Sequence, residues 1–107
     1  MYSKKNRLPI EKNKVLGQRT LSSPYFLIKY KENGKNFNRF GIIISNHSVK
    51  KSVRRHFWKR VFADALQSWP ILQKDILVIA SPKIEATDKK TVKNELNRIL
   101  RFFSPKA

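Results

Sequence analysis

The sequence predicts a single α+β domain, in which a small mixed sheet carries helices on one face. Three observations predict it. Two stretches of alternating apolar residues stand on either side of a turn signal. A short continuous apolar run follows later in the chain. Two segments with helical periodicity, one before that run and one after it, supply the covering layer. At 107 residues the chain suits one domain spanning 1–107.

Tyr25 to Lys31 reads as the first strand, with Phe26, Ile28 and Tyr30 alternating with Tyr25, Leu27 and Lys29. Asn33-Gly34 reads as a tight hairpin turn, because both residues tolerate positive φ. Asn38 to Ser45 reads as the returning strand, with Phe40, Ile42 and Ile44 on one face and Gly41 and Ile43 on the other. Ser48 to about Ser68 reads as a long helix with Ser48 as its N-cap. Val49, Val53, Phe57, Val61 and Ala65 form one row on it, and Trp58, Phe62, Leu66 and Trp69 an adjacent one. Pro70 ends the pattern. Trp58, Phe62 and Leu66 are expected to pack on Phe26, Ile28, Ile42 and Ile44. Asp75 to Ala80 is the continuous apolar run, the mark of a strand buried on both faces. Thr87 or Asp88 caps a last helix whose stripe is Val92, Leu96, Ile99, Leu100 and Phe103. At the start of the chain, residues 1–8 read as a loose basic arm, and Pro9 to Leu16 as a short helix with Gly17 past its end.

Charge separates the functional classes. Lys and Arg number 24 against 7 Asp and Glu, a formal net charge of +17. Such a domain repels itself, and a polyanion relieves the repulsion. Nucleic acid is the favoured partner, because release of its condensed counterions drives binding. An anionic membrane surface is the competing one. No cysteine is present, which points to a reducing compartment and excludes zinc sites built from Cys. No stretch approaches the ~20 apolar residues of a membrane span. The basic N-terminus is not followed by an apolar run, so no signal peptide is read. The expected location is cytoplasmic, with no membrane and no obvious protein partner.

The long helix carries the strongest functional signal. Lys50, Lys51, Arg54, Arg55, Lys59 and Arg60 crowd its first turns, and Asp64 is its one acid. Lys51, Arg55 and Lys59 stand at successive i,i+4 positions, and so do His56 and Arg60. Like charges at that spacing cost a helix ~0.2–0.5 kcal/mol per pair, so binding has to repay them. A solvated helix face is the alternative, but ordinary surface helices mix both signs. Among the aromatics near the strands, Phe26 and Phe40 read as core. Tyr25, on the face opposite Phe26, is the better candidate for stacking on a base. A catalytic site is not expected on the protein. His47 and His56 are nine residues apart, the three glycines are scattered, and the acids form no evident pair.

Arg39-Phe40-Gly41-Ile42-Ile43-Ile44-Ser45, followed by the run Val49-Lys50-Lys51-Ser52-Val53-Arg54-Arg55-His56-Phe57-Trp58-Lys59-Arg60, resembles the bacterial ribonuclease P protein subunit. Arg39, Gly41 and Ser45 fall at the start of that family's pattern. Arg55 and His56 match the first two positions of its R-N-R, Lys59 and Arg60 its K-R pair, and Asp64 its final acid. Asp75-Ile76-Leu77-Val78-Ile79-Ala80 looks like its D-x-V-V-I-A strand. Asn46, His47, Phe57, Ala63 and Ser81 depart from the pattern, all but Ser81 within the helix motif or just before it.

The resemblance implies an α/β sandwich with a left-handed βαβ crossover, a rare connection. It implies a protein that binds a large catalytic RNA and assists removal of the 5′ leader from precursor tRNA, with the chemistry on the RNA. Mg²⁺ is expected through the partner RNA and no cofactor on the protein alone. The implied RNA contacts are Lys50, Lys51, Arg54, Arg55, His56, Lys59, Arg60 and Arg39. The implied leader contacts are Tyr25, Leu27, Lys29, Ile43 and Ser45. A structural RNA-binding protein of the ribosomal type is the alternative reading; it would share the charge but not the ordered match around Arg55 and Lys59.

Overall fold

The structure, a computed structural model, describes residues 19–103. The basic arm and the Pro9–Leu16 helix expected from the sequence lie outside the described residues. The elements run β1 (Arg19–Ser22), β2 (Phe26–Glu32), β3 (Arg39–Ile43), α1 (Ser52–Gln67), β4 (Lys74–Ala80) and α2 (Lys89–Phe103), with a 3-10 turn at Pro82–Ala86. The four strands form one mixed sheet in the order β1-β2-β4-β3.

The hairpin expected at Asn33-Gly34 does not form. β2 and β3 are not neighbours; β4 lies between them, antiparallel to β2 and parallel to β3. The reason lies in β4 itself. A strand apolar on both faces is stable only with neighbours on both edges and side-chain cover above and below. Strands apolar mainly on one face go outside it. The Asn-Gly pair still turns the chain, with Gly34 at φ 69°, but it carries it across the end of β4. Asn33 organises that crossing: its Oδ1 accepts from the Lys35 N–H at 2.7 Å, and its backbone N–H donates to the Gln73 carbonyl at 3.0 Å. Asn38, buried, donates to the Pro70 carbonyl and accepts from the Leu72 N–H. Both bonds tie this crossing to the segment that leads into β4.

One side of the sheet meets both helices. Phe26, Ile28, Phe40, Ile42, Ile76, Val78 and Ala80 form a single core with Trp58, Phe62 and Leu66 of α1 and Val92, Leu96 and Ile99 of α2. Phe62 is fully buried and meets Phe26 edge-on at 5.5 Å. Ile44 packs against this core from just past β3. The packing expected of Trp58, Phe62 and Leu66 is therefore present. Asp88 caps α2, its carboxylate accepting from the Thr91 N–H at 2.8 Å. Hydrogen bonds from the Thr91 hydroxyl and from that N–H hold its pKa below the usual value.

The start of α1 differs from expectation. Ser48 is not the N-cap; the helix begins at Ser52 with Lys51 in the cap position and no side-chain cap bond. Ser48 instead belongs to a turn. Its N–H donates to Ser45 and its hydroxyl to the Ala80 carbonyl at 3.3 Å. Val49 is buried as part of that turn and is out of helical phase. Of the row Val49, Val53, Phe57, Val61 and Ala65, Val49 and Val61 are buried in the core and Phe57 and Ala65 pack against it, while Val53 turns to solvent. Val53 stands five residues before Trp58, which at 100° per residue puts it about 140° round the helix, and it is 76% exposed.

Candidate nucleic-acid interface

The basic residues of α1 separate into two groups. Lys50, Lys51, His56, Lys59 and Arg60 are exposed. Val53, His56, Arg60 and Asp64 follow the helical repeat along the middle of the solvent face, with Lys59 beside them. Arg54 and Arg55 are partly buried and engaged with the protein. The Arg55 guanidinium donates to the carbonyls of Val49 and Lys50, at 3.0 and 2.9 Å, and so braces the turn that delivers α1. Arg54 lies over the Phe57 ring, 4.6 Å from its centroid, and reaches Glu85 at 3.5 Å.

The electrostatics of this end are one-sided. The first turn of α1 holds no acid and no side-chain cap, so its free backbone N–H groups face outward among cations. Positive charge at a helix N-terminus opposes the helix dipole, typically by 0.3–1 kcal/mol. Such a terminus is stabilised by an anion, and phosphate is the usual one.

Arg39 has a different place. Its Nε and NH2 donate to Asp75 Oδ1 and Oδ2 at 2.9 and 2.8 Å, a bidentate pair. Arg39 and Asp75 are cross-strand partners on β3 and β4, and the Asp75 side chain is 2% exposed. Burial works against ionisation of Asp75. Hydrogen bonds from Arg39 and Asn33, with the charges of Arg39 and Lys31, outweigh it and hold the carboxyl below its ordinary pKa. Arg39, expected as an RNA contact, is thus committed to the sheet. Sequence reasoning missed this pair because its members are far apart in the chain; their cross-strand register brings them together.

The expected leader contacts are partly assembled. Leu27 lies opposite Ile79, Lys29 opposite Leu77, and Ile43 beside Ile79. Leu27, Lys29 and Ile43 therefore share the sheet face that points away from the helices. Leu77 and Ile79, absent from the expected set, occupy its centre and pack with Ile43. The alternation within β4 carried that signal. Tyr25 does not join this face. It precedes β2, half-buried, and packs against the helix-side core. Ser45 lies exposed beyond β3, its hydroxyl accepting from the Ser48 N–H. Among the described residues, no three His, Asp or Glu side chains come together as a metal site, and no helix is long and apolar enough to cross a membrane.

Comparison with known proteins gives one consistent finding. The sequence model of the family described as Ribonuclease P matches residues 12–103. The fold is similar to that of the RNase P protein from Thermotoga maritima, with a TM-score of 0.73 and 27% identity over 88% of this chain and 94% of that one. A second structure of the Thermotoga protein, in complex with 1-(4-fluorophenyl)-2-thiourea, gives 0.68 at 27% identity over 78% and 84%. The Staphylococcus aureus RNase P protein shares the fold, with a TM-score of 0.69 at 23% identity over 78% and 79%. No curated protein sequence matches the chain significantly.

Proposed function

The chain belongs to the Ribonuclease P family, and from that premise we propose that it is the protein component of a ribonucleoprotein that removes the 5′ leader from precursor tRNA. In this reading the protein binds a catalytic RNA through the exposed cations of α1. It binds the single-stranded leader on the sheet face away from the helices, and the phosphodiester chemistry belongs to the RNA with its bound Mg²⁺. The observation that carries the reading is the exposed, uncapped and acid-free basic end of α1, where Lys50, Lys51, His56, Lys59 and Arg60 stand free of carboxylate partners among the described residues.

The division of labour follows from chemistry. Lysines on a helix surface supply point charges that neutralise phosphates without reading sequence. The sheet face away from the helices offers the partly exposed Leu27, Ile43 and Ile79, packed around the buried Leu77, with Lys29 beside them, which suits a strand whose bases are unpaired. Arg55 positions the basic turn by holding its carbonyls. Arg39 keeps the sheet edge in register through Asp75. The expected cytoplasmic location and the absence of a membrane partner belong to the same proposal.

The test is reconstitution. Protein alone is expected to leave precursor tRNA uncut, and protein with a bacterial ribonuclease P RNA and Mg²⁺ to cleave at the mature 5′ end at lower Mg²⁺ than the RNA alone. Failure to bind that RNA while retaining ribosomal RNA from a lysate would favour the ribosomal-type reading instead.

A further inference from the structure

A second cationic and aromatic site lies at the other end of the sheet. There a cavity of about 620 Å³ is walled by Arg19, Tyr30, Lys31, Glu32, Lys74, Phe102 and Phe103. β4 starts at this cavity with Lys74 and finishes at Ala80, whose carbonyl is bonded by Ser48 just before α1. Seven extended residues at about 3.3 Å each put the two ends roughly 20 Å apart. The cavity is thus separate from the basic turn. Apart from Lys31, its lining comes from the helix side of the strands and from the last turn of α2.

The cavity's chemistry is specific in three respects. First, Phe102 is 65% exposed at the end of a helix whose buried side is Val92, Leu96 and Ile99; packing does not account for its ring. Second, the wall behind it is aromatic and rigid: Tyr30 and Phe103 meet edge-on at 4.6 Å, with the Lys74 ammonium 5.6 and 5.9 Å from their centroids. Third, the local charge is positive. Lys74 pairs with Glu32, the cavity's one carboxylate, while Arg19 is exposed and makes no ion pair among the described residues. Arg101, also exposed, adjoins Phe102. An exposed ring beside an unpaired guanidinium fits a stacked base and its phosphate. The volume falls within the ~300–1,000 Å³ usual for small-ligand sites.

We propose that this cavity is a second contact for single-stranded nucleic acid, taking one nucleotide with its base on Phe102 and its phosphate on Arg19. It does not depend on which RNA the basic turn binds. A single strand held there would lie about 20 Å from the α1 contacts, so a bound RNA would be gripped at two separated points.

The test uses the full chain and a fluorescein-labelled hexa-adenylate, followed by anisotropy across a salt series. The background is Lys51→Ala plus Lys59→Ala, which weakens binding at α1. Phe102→Ala is expected to weaken the remaining binding by about fivefold or more, the low end of what losing one stacked base costs. Phe102→Trp is expected to retain it. Arg19→Ala is expected to flatten the log–log salt slope by about 0.7. A 4-thiouridine oligonucleotide is expected to crosslink to the peptide bearing Tyr30 or Phe102. Unchanged binding in Phe102→Ala, crosslinks confined to the α1 peptide, or a structure in which the chain's own terminal residues fill the cavity would each overturn the proposal.

Discussion

The two ends of β4 treat positive charge in opposite ways. Where β4 begins, Arg39 is gripped by Asp75 in a bidentate pair and Lys74 is bridged to Glu32. Where β4 ends and α1 begins, the first helical turn has no acid at all, and the nearest carboxylate bond is a 3.5 Å contact between the partly exposed side chains of Arg54 and Glu85. At the first end, the cations of Arg39 and Lys74 hold the fold together, with Arg19 left exposed near them. At the other, the cations of the helix start cost the fold something and remain available. Abundance of Lys and Arg therefore does not mark an interface; the absence of partners does. Four sets of substitutions break or sharpen this contrast, taken in order of their effect on stability.

The largest effect belongs to the core that both ends share. Phe62→Ala removes a fully buried ring from contact with Phe26 and is expected to cost about 3–5 kcal/mol. Chemical denaturation measures it. A loss below about 1 kcal/mol would mean that α1 is not fixed on the sheet, and the contrast between its ends would lose its frame.

Arg39→Ala comes next. It leaves Asp75 buried without its main partner, and breaking such a pair costs several kcal/mol. About 3 kcal/mol is expected, the low end, because Arg39 keeps some contact with water. RNA affinity per folded molecule is expected to stay unchanged. The pH dependence has a definite sign. The Asp75 pKa is lower in the folded chain than in the unfolded one, so its contribution is complete above the unfolded value of about 3.9. It is lost as pH falls through the lower folded value. Denaturation midpoints between pH 6 and 2 are expected to drop less steeply in Asp75→Asn than in the parent. Equal slopes would show that the pair does not carry the acid sensitivity.

How much of this was readable in the sequence depends on the range of the interactions. α2 was legible because its stripe and its Asp88 cap are local. β4 was legible as an element for the same reason, and its two-sided apolar character already implied a central place. The Asn33-Gly34 signal pointed to a hairpin because turn chemistry is local, whereas pairing is decided by which strand can fill the middle of the sheet. The roles of Arg39 and Arg55 were hidden for the same reason. Both carry the charge expected of an RNA contact, but one meets a carboxylate on β4 and the other two carbonyls of a turn whose shape no periodicity describes. The exposure of Lys51, His56, Lys59 and Arg60 was legible because an unpartnered surface position needs no tertiary information. Tyr25 was misplaced because strand alternation was extended one residue before the start of β2.

Arg55 tests the boundary between the two kinds of cation. Its two bonds to the Val49 and Lys50 carbonyls are expected to be worth about 1–2 kcal/mol together, allowing for partial exposure. Arg55→Ala is expected to lose that stability and to weaken RNA binding by loosening the turn. Arg55→Lys separates the causes. Lysine keeps the charge but not the planar fork, so it is expected to restore little of either property. Full recovery of RNA binding by lysine would make Arg55 a phosphate contact after all.

The smallest effect on stability, and the one that decides the reading of α1, comes from Lys51→Ala plus Lys59→Ala. Neither side chain has a bonded partner among the described residues, so truncation removes no packing and no pair. Lys51 stands at the N-terminal cap, where its charge opposes the helix dipole; the double variant is expected to be as stable as the parent or slightly more so, by up to about 0.5 kcal/mol. Affinity for the catalytic RNA is nevertheless expected to fall. Each phosphate contact releases counterions, and losing two is expected to reduce the log–log salt slope by about 1.4–1.8. A variant that lost affinity at every salt concentration with an unchanged slope would have been damaged in some other way, and its thermal midpoint would reveal that. A variant that kept both affinity and slope would leave α1 with a merely solvated face. The charge at this end of β4 would then need another purpose, and the contrast between the two ends would describe stability alone.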